Sequence, residues 1–168
     1  MTEVPDLALS GGHNGGQDEG RDALRPHERA VSLPAQFDAS VWFIGRLRTP
    51  WTERSQCPRR GDPENGPDCR VQLDPRWIDG LAGVAGRARI QLLYWMHLSR
   101  RDLVLQNPNF GDASVGTFSL RSPVRPNPIA ATVVRLLRVE GAELVVRGLD
   151  CVDGTPLLDI KGEFGAIP

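Results

Sequence analysis

Short apolar runs, separated by glycine, proline and charged positions, follow one another along most of this chain. The clearest pattern covers residues 89–98, where every second residue from Ile90 to Leu98 is apolar. Alternation with a period of two is typical of a strand with one buried face. The opposite face mixes polar groups with Leu93 and Trp95, as the wall of a wet pocket does. We therefore predict a strand over residues 89–98.

The remaining apolar runs predict more strands and almost no helix. Asp74 before Pro75 predicts the start of a helix of one or two turns, and Asp153-Gly154 predicts a hairpin turn. Many short strands with tight turns indicate an all-β fold, a small β-barrel with one or two short helices. Further strands are predicted over residues 41–47, 69–73, 103–105, 132–139, 144–149 and 157–160.

The first part of the chain lacks any periodic apolar face. Residues 1–36 are rich in glycine and polar side chains. Because such a segment cannot bury enough apolar surface to offset its conformational entropy, we predict a disordered N-terminal tail. The ordered domain is then expected to cover residues 37–168.

Charge and cysteine content exclude several classes of protein. Twenty basic and twenty-one acidic residues give a net charge of −1, so total charge selects no partner. Three cysteines without a CxxC pair favour neither a disulfide framework nor a metal site. The chain shows no secretion signal and no apolar run of the roughly 20 residues needed to span a bilayer. We expect a cytoplasmic protein that binds neither metal nor membrane.

Two loops carry the candidate chemistry. The segment RSPVRPNPI at residues 121–129 holds three prolines, which make it rigid, together with two arginines and an asparagine. The loop over residues 53–67 is too long for a plain connection, and long ordered loops often bind ligands. A stiff surface turn with solubilising arginines is the alternative interpretation of the first loop.

His97, near the end of the predicted strand over residues 89–98, has two interpretations. Its imidazole can contact a ligand or accept a proton, since histidine titrates near neutral pH. A histidine near a strand end more often hydrogen-bonds a neighbouring backbone group. Spacing alone does not decide between the two.

Four sequence blocks stand out along the chain, and they are IGRLRTP at residues 44–50, LLYWMH at 92–97, RSPVRPNPI at 121–129 and LDCVDGTPLLDIK at 149–161. The final block contains the run DGTPLLDIK, which is as unusual as the proline loop. Together the blocks span about residues 41–161. Taken in order, they resemble the TsaA-like family, whose bacterial members methylate tRNA.

The resemblance implies a TsaA-like β-barrel domain that binds S-adenosylmethionine and forms homodimers. Family members methylate N6 of threonylcarbamoyladenosine beside the anticodon of certain tRNAs, so tRNA is the implied partner. The residues implied for the cofactor site are Pro58, Arg59, Arg60, His97, Leu98, Arg121, Ala131, Asp153, Gly154, Thr155 and Pro156.

The resemblance leaves the catalytic base and the acceptor contacts open. Asp153, Asp150 and His97 are candidates for the base, because the carbamoylated N6 must lose a proton to become a good nucleophile. Arg125 and Asn127 are candidates for holding the modified base or its threonyl carboxylate. Phosphate contacts are expected from Arg48, Arg54, Arg100, Arg101 and Arg125.

Several positions differ from the usual family pattern, so the resemblance supports the cofactor pocket more strongly than it supports the acceptor. Arg60 stands where members often have glutamine, and Ala130 replaces the glycine usual after the Pro-Asn-Pro-Ile run. Two other functions therefore stay open. The chain can be a methyltransferase for another RNA or a small molecule, or a regulatory module that binds the cofactor without catalysis.

Overall fold

The computed structural model describes residues 23–163. Nine strands and four short 3₁₀ helices lie in this part of the chain. The strands are β1 Arg29–Ala30, β2 Gly45–Arg48, β3 Cys69–Leu73, β4 Arg89–Trp95, β5 Leu103–Gln106, β6 Val115–Gly116, β7 Ile129–Glu140, β8 Glu143–Arg147 and β9 Pro156–Gly162. The 3₁₀ helices span Arg54–Gln56, Pro75–Leu81, Val84–Gly86 and Thr117–Ser119.

Six antiparallel strands close into a barrel in the order β2-β3-β8-β7-β4-β9, with β9 pairing back to β2. The longest ladder joins β4 to β7, from Arg89 opposite Arg135 to Trp95 opposite Ile129. The short strands β1, β5 and β6 form a separate sheet, here called the outer sheet. The predicted all-β barrel is confirmed, and closure removes the exposed edges that an open sheet would present.

The alternation in β4 places its apolar side chains inside the barrel. Ile90, Leu92 and Tyr94 are at most 1% exposed, as the sequence pattern predicted. The prediction fails at Leu98, which is 48% exposed. The strand ends at Trp95 because the next residues turn, and the His97 amide donates to the Trp95 carbonyl at 2.8 Å.

The first barrel strand is shorter than predicted. The segment 41–47 was expected to be a strand, but β2 begins at Gly45 and the side chains of Trp42 and Phe43 are exposed. Pairing begins only at Ile44, whose amide donates to the Leu157 carbonyl at 2.9 Å. The aromatic residues before Ile44 therefore indicated a strand, but this segment has no neighbouring strand to pair with.

The predicted helix after Asp74 is confirmed as the 3₁₀ helix Pro75–Leu81. The Asp74 side chain caps it by accepting from the Arg76 amide at 3.1 Å. This capping bond satisfies a backbone donor that has no partner within the helix.

The hairpin predicted at Asp153-Gly154 is wrong. Gly154 has a φ of +78° and lies in a tight turn, but the flanking strands β8 and β9 do not pair with each other. Instead β8 lies between β3 and β7, and β9 lies between β2 and β4. The turn predicted from Asp153-Gly154 is present, but the pairing of the strands on either side of it is decided by the closure of the barrel.

One strand lies on the tail side of the predicted boundary at residue 37. Arg29 pairs with Leu105, and the Val31 amide donates to the Asp102 carbonyl at 2.9 Å. Residues 1–22, which make up most of the predicted tail, lie outside the described residues. The division of the chain at residue 37 stays a prediction. No helix between residues 23 and 163 combines the length and apolar character needed to cross a membrane.

Candidate functional site

The turn around Asp153 is held against β2 by backbone hydrogen bonds. The Gly154 amide donates to the Leu47 carbonyl and the Leu47 amide to the Thr155 carbonyl, both at 2.8 Å. The Asp153 amide donates to the Trp51 carbonyl at 2.7 Å. These bonds fix the predicted cofactor segment 153–156 to the neighbouring strand, so the turn has one defined conformation.

The Asp153 carboxylate is engaged on both oxygens. Its Oδ1 accepts from the Thr49 amide at 3.1 Å, and its Oδ2 accepts from Arg48 Nη1 at 3.3 Å. Arg46 adds a bond from Nη1 to the Gly154 carbonyl at 3.0 Å. This geometry makes the Asp153 side chain an anchor of the turn, and it leaves that carboxylate badly placed to accept a proton from a substrate.

Asp150 belongs to a hydrogen-bonded group inside the barrel. The Tyr94 hydroxyl donates to Asp150 Oδ1 at 2.8 Å and lies 2.9 Å from Thr132 Oγ1. Burial, followed by the negative charge of Asp150, raises the pKa of Tyr94 far above its ordinary value. The phenol therefore stays protonated and remains a donor to the carboxylate. Asp150, like Asp153, is committed to a structural contact.

His97 lies where β4 ends and the chain turns outward. Although the residue is exposed, partial burial of its ring lowers the pKa of His97, and the nearby charge of Arg46 lowers it further. A hydrogen bond with the Trp95 backbone acts in the opposite direction. The imidazole is therefore neutral at pH 7 and able to accept a proton.

The proline loop runs alongside the end of β4. The Met96 amide donates to the Pro128 carbonyl at 2.8 Å. Arg121 Nη2 donates to the Ala131 carbonyl at 2.9 Å, and Ala131 pairs with Leu93 of β4. The structure thus connects Arg121 to Ala131 within the β4–β7 ladder and places His97 beyond the end of the same ladder.

Arg125 turns inward instead of facing solvent. Its Nη2 donates to the Leu120 carbonyl at 2.8 Å and to the Thr117 carbonyl at 3.4 Å. Its buried Nε has no partner within residues 23–163. Gln106 Nε2 supports the same loop through the Val124 carbonyl at 2.6 Å. Arg125 therefore supports the proline loop from inside through Nη2.

The residues Pro58, Arg59 and Arg60 lie in the loop that follows the 3₁₀ helix Arg54–Gln56. They are exposed, and neither arginine makes a hydrogen bond or ion pair with the described part of the chain. The next residue anchors the loop, because a Cβ added at Gly61 would lie 1.9 Å from the Gly148 carbonyl oxygen. Glycine is therefore required at this close approach.

Several arginines expected to contact phosphate are paired within the molecule. Arg48 pairs with Asp153, and Arg100 makes a bidentate pair with Asp102 at 2.8 and 2.9 Å. Arg101 donates to the proline loop. An open groove of about 290 Å³ lies beside this region, on β2 and β3, and its lining includes Arg46. The predicted cofactor residues do not line that groove.

The comparison with protein families decides what this barrel is. The family model described as the tRNA-methyltransferase O N-terminal domain matches residues 46–165. This stretch includes all six barrel strands except the first residue of β2, and it contains the proline loop and the Asp153 turn. The chain belongs to this family.

Individual relatives agree with the family assignment. A Rhizobium radiobacter protein, VirR, named a probable S-adenosyl-L-methionine-binding protein, is 52% identical over 138 residues, or 82% of this chain and 78% of that protein. A mouse protein named tRNA (adenine(37)-N6)-methyltransferase is 48% identical over 65 residues, or 39% of this chain and 15% of that protein.

The fold also matches solved TrmO structures. The crystal structure of TrmO from Pseudomonas aeruginosa superposes with a TM-score of 0.62 at 32% identity, covering 77% of this chain and 56% of that chain. The chain therefore spans little more than half of the matched TrmO protein. The resemblance to the TsaA-like family is confirmed, and the S-adenosylmethionine expectation agrees with the name of the Rhizobium relative.

The family match begins at residue 46, so residues 23–45 lie outside it. This segment contains β1 and the exposed aromatic residues Phe37, Trp42 and Phe43. Arg46 was not among the residues predicted for the site, although it donates to the Gly154 carbonyl and its charge lowers the pKa of His97. Its place in the first sequence block, within a predicted strand, was the available signal.

Proposed function

We propose that this chain is an S-adenosylmethionine-dependent methyltransferase that acts on N6 of threonylcarbamoyladenosine next to the anticodon of tRNA. The observation that carries the proposal is the family match over residues 46–165, which includes the His97, Arg121 and Asp153 segments. The name of the partly matching mouse protein, a tRNA (adenine(37)-N6)-methyltransferase, supports the acceptor. We also propose that the protein is cytoplasmic and homodimeric.

The side chains at the end of β4 fit the chemical parts of the proposed cofactor. The exposed guanidinium of Arg121 suits a carboxylate, and the apolar surface of Leu98, which is 48% exposed, suits an adenine ring. Asp153 and Thr155 contribute by shaping the turn, since their side chains are engaged internally. When bound, S-adenosylmethionine supplies a methyl group made electrophilic by its sulfonium.

The protein's own contribution is to orient the acceptor nitrogen and to accept its proton. Of the three candidates for the base, the two aspartates are committed to Tyr94, Thr49 and Arg48. His97 has a lowered pKa and is neutral at pH 7. We assign the proton to His97, because its neutral imidazole can accept a proton while the carboxylates of Asp150 and Asp153 already accept from internal donors.

In the proposed homodimer, Arg59 and Arg60 would contact the cofactor site of the second copy. They have no partner within the described residues, although Gly61 anchors their loop. A second copy that presented its site to this loop would complete the predicted cofactor residues. Sedimentation of the full chain tests this, and a monomer that binds the cofactor with full affinity would contradict it.

The proposed reaction is tested by incubating the full chain with methyl-labelled cofactor and tRNA that carries threonylcarbamoyladenosine without the N6 methyl group. We expect label at that nucleoside in digests, and none with tRNA that lacks the threonylcarbamoyl group. Label at another nucleoside would identify a different RNA acceptor. Cofactor binding without any transfer would identify a non-catalytic binding module.

A His97→Gln variant tests the assignment of the base. Glutamine keeps a polar side chain of similar size but cannot take up the proton. We expect kcat to fall by about 100-fold, within the usual range for loss of a general base, with cofactor affinity changed far less. A variant that kept the wild-type kcat would remove His97 from this role.

A further inference from the structure

Arg101 contacts two aromatic rings. Its guanidinium carbon is 5.1 Å from the centre of the Phe37 ring and 5.3 Å from the centre of the Trp95 ring. Both distances are within the range of cation–π attraction, about 6 Å. Trp95 ends β4, whereas Phe37 comes from the segment that precedes the family match. Arg101 is therefore oriented by one ring from the barrel and one from outside the family domain.

The same guanidinium holds the tip of the proline loop. Arg101 Nε donates to the Pro126 carbonyl at 2.5 Å, and Arg101 Nη2 donates to Asn127 Oδ1 at 3.3 Å. The next residue is fixed as well, because the Pro128 carbonyl accepts from the Met96 amide at 2.8 Å. The loop tip is thus bound both to Arg101 and to the end of β4, beside His97.

These contacts determine which way the Asn127 amide points. A guanidinium has only donors, so the atom that faces it must be the amide oxygen. The Nδ2 group of Asn127 then lies on the other side of the amide plane. Asn127 is exposed, and its Nδ2 makes no hydrogen bond to the described residues. Two N–H donors are therefore presented outward next to the strand end that carries His97.

We propose that Arg101 is a positioning residue that fixes Asn127 so that its Nδ2 donates to a carbonyl or carboxylate oxygen of the methyl acceptor. Phe37 and Trp95 hold Arg101 in place for this purpose. The inference rests on the proposed methyl transfer and names the acceptor group that Asn127 recognises. It replaces the phosphate contact expected of Arg101 from the sequence, because Nε and Nη2 are used within the loop.

The decisive variant is Asn127→Asp. Aspartate keeps an acceptor for Arg101 and gains an ion pair with it, but it loses both N–H donors. We expect kcat/KM for the tRNA acceptor to fall by about 10- to 100-fold, with an unchanged KM for the cofactor and no loss of thermal stability. Wild-type kcat/KM in Asn127→Asp would overturn the proposal, since a purely structural asparagine tolerates this change.

The role of the rings is tested by comparing the effect of a ring substitution in the wild-type protein with its effect in an Asn127 variant. Phe37→Ala removes one of the two cation–π contacts, and we expect kcat/KM to fall about two- to fivefold. In an Asn127→Ala background the same change should have no further effect, since both variants act through one contact. Independent, multiplicative effects would overturn the coupling.

The chain contains a matched control for the ring. Phe110 lies over Arg25 at 4.3 Å, an equivalent arginine–phenylalanine stack beside the outer sheet. Phe110→Ala removes a similar contact from Arg25, whose guanidinium donates to the Asn107 carbonyl and not to the proline loop, and it should leave kcat/KM unchanged. An equal loss from Phe110→Ala would show that the effect of Phe37 is not specific to Asn127.

A measurement that does not depend on activity separates this inference from the proposed function. The ¹⁵N order parameter of the Asn127 side-chain amide should fall in Phe37→Ala and in Arg101→Lys, because lysine offers neither the planar fork nor the stack. An unchanged order parameter would overturn the inference even if methyl transfer occurs. Absence of transfer by the wild-type protein would overturn the proposed function, while lower amide order in the variants would still support the positioning by Arg101.

Discussion

The barrel and the outer sheet are stabilised by different interactions. The barrel is filled by apolar side chains, among them Val71, Val134 and Leu144, which are fully buried. The segment 103–117, which includes β5 and β6, buries one apolar side chain, that of Leu103. Three of the four buried polar residues between positions 23 and 163 lie in this segment, and they are Gln106, Asn107 and Thr117.

The difference separates stability from positioning. The stabilisation from burying apolar side chains is proportional to the buried area and does not depend on direction. The packing of the barrel therefore stabilises the fold without fixing the conformation of any particular loop. Hydrogen bonds have direction, and buried donors and acceptors that lose a partner are costly. Gln106, Thr117 and Arg125 use such bonds to hold the backbone beneath the proline loop. The conformation of the region near the candidate site is therefore determined more by directional hydrogen bonds than by apolar packing.

The largest effect is expected in the barrel wall, from Leu144→Ala. Leu144 is fully buried in β8, and its truncation removes apolar contacts and leaves a cavity. We expect a loss of about 2–5 kcal/mol in the free energy of unfolding, measured by urea denaturation. The exposed Leu33→Ala is the control and should change it little. A small effect of Leu144→Ala would contradict the view that packing stabilises the barrel.

The next effect is expected in the outer sheet, from Asn107→Ala. Its Nδ2 donates to the Pro26 carbonyl at 3.0 Å and to the Gly111 carbonyl at 2.7 Å. Losing these bonds should cost about 1–3 kcal/mol and release β1 locally. Hydrogen exchange should then accelerate near residues 26–31 while β8 stays protected. Uniform acceleration would show that the outer sheet and the barrel unfold as one unit.

A polar contact inside the barrel is expected to matter less. Tyr94→Phe removes the hydroxyl that donates to Asp150 at 2.8 Å but keeps the ring in the core. We expect a loss of about 1–2 kcal/mol, since a hydrogen bond to a carboxylate is lost while the packing remains. Thermal unfolding measures it. A loss as large as that of Leu144→Ala would mean that the barrel also depends on directional bonds.

The smallest effect concerns the pH dependence of stability at His97. Its pKa in the folded protein is below the ordinary 6.5, so the unfolded chain binds the proton more readily. Stability is therefore present above pH 6.5 and decreases as pH falls through the folded pKa. His97→Gln should reduce the difference in melting temperature between pH 7.5 and 5.5. An unchanged difference would contradict the lowered pKa, and Arg46→Gln should act in the same direction as His97→Gln.

Local patterns in the sequence predicted a large part of the fold. Alternation in β4 predicted which side chains fill the barrel, and Asp74 with Pro75 predicted the capped 3₁₀ helix. Both follow from interactions among residues close in sequence, namely the two-residue period of a strand and the capping of a helix start. The four sequence blocks also indicated the family, because each is a run of adjacent residues.

The candidate site was less predictable, because its contacts join residues far apart in the chain. Arg125 carries the same charge whether it faces solvent or the Leu120 carbonyl, and sequence could not show that it turns inward. Likewise, the engagement of Asp153 by Thr49 depends on β9 pairing with β2. Residue types indicated the chemistry of the site. Which side-chain atoms remain free to contact a ligand was decided by hydrogen-bond partners far away in the chain.

By itself, the sequence determined the β-rich class of this protein, the stiffness of the proline loop and the glycine-dependent turn at residue 154. Those properties arise from backbone dihedral preferences and side-chain periodicity, which act over a few residues. Only the tertiary structure decided that the turn lies against β2 and that Arg101 contacts the rings of Phe37 and Trp95. Such arrangements depend on contacts between residues far apart in the chain, such as the pairing of β9 with β2.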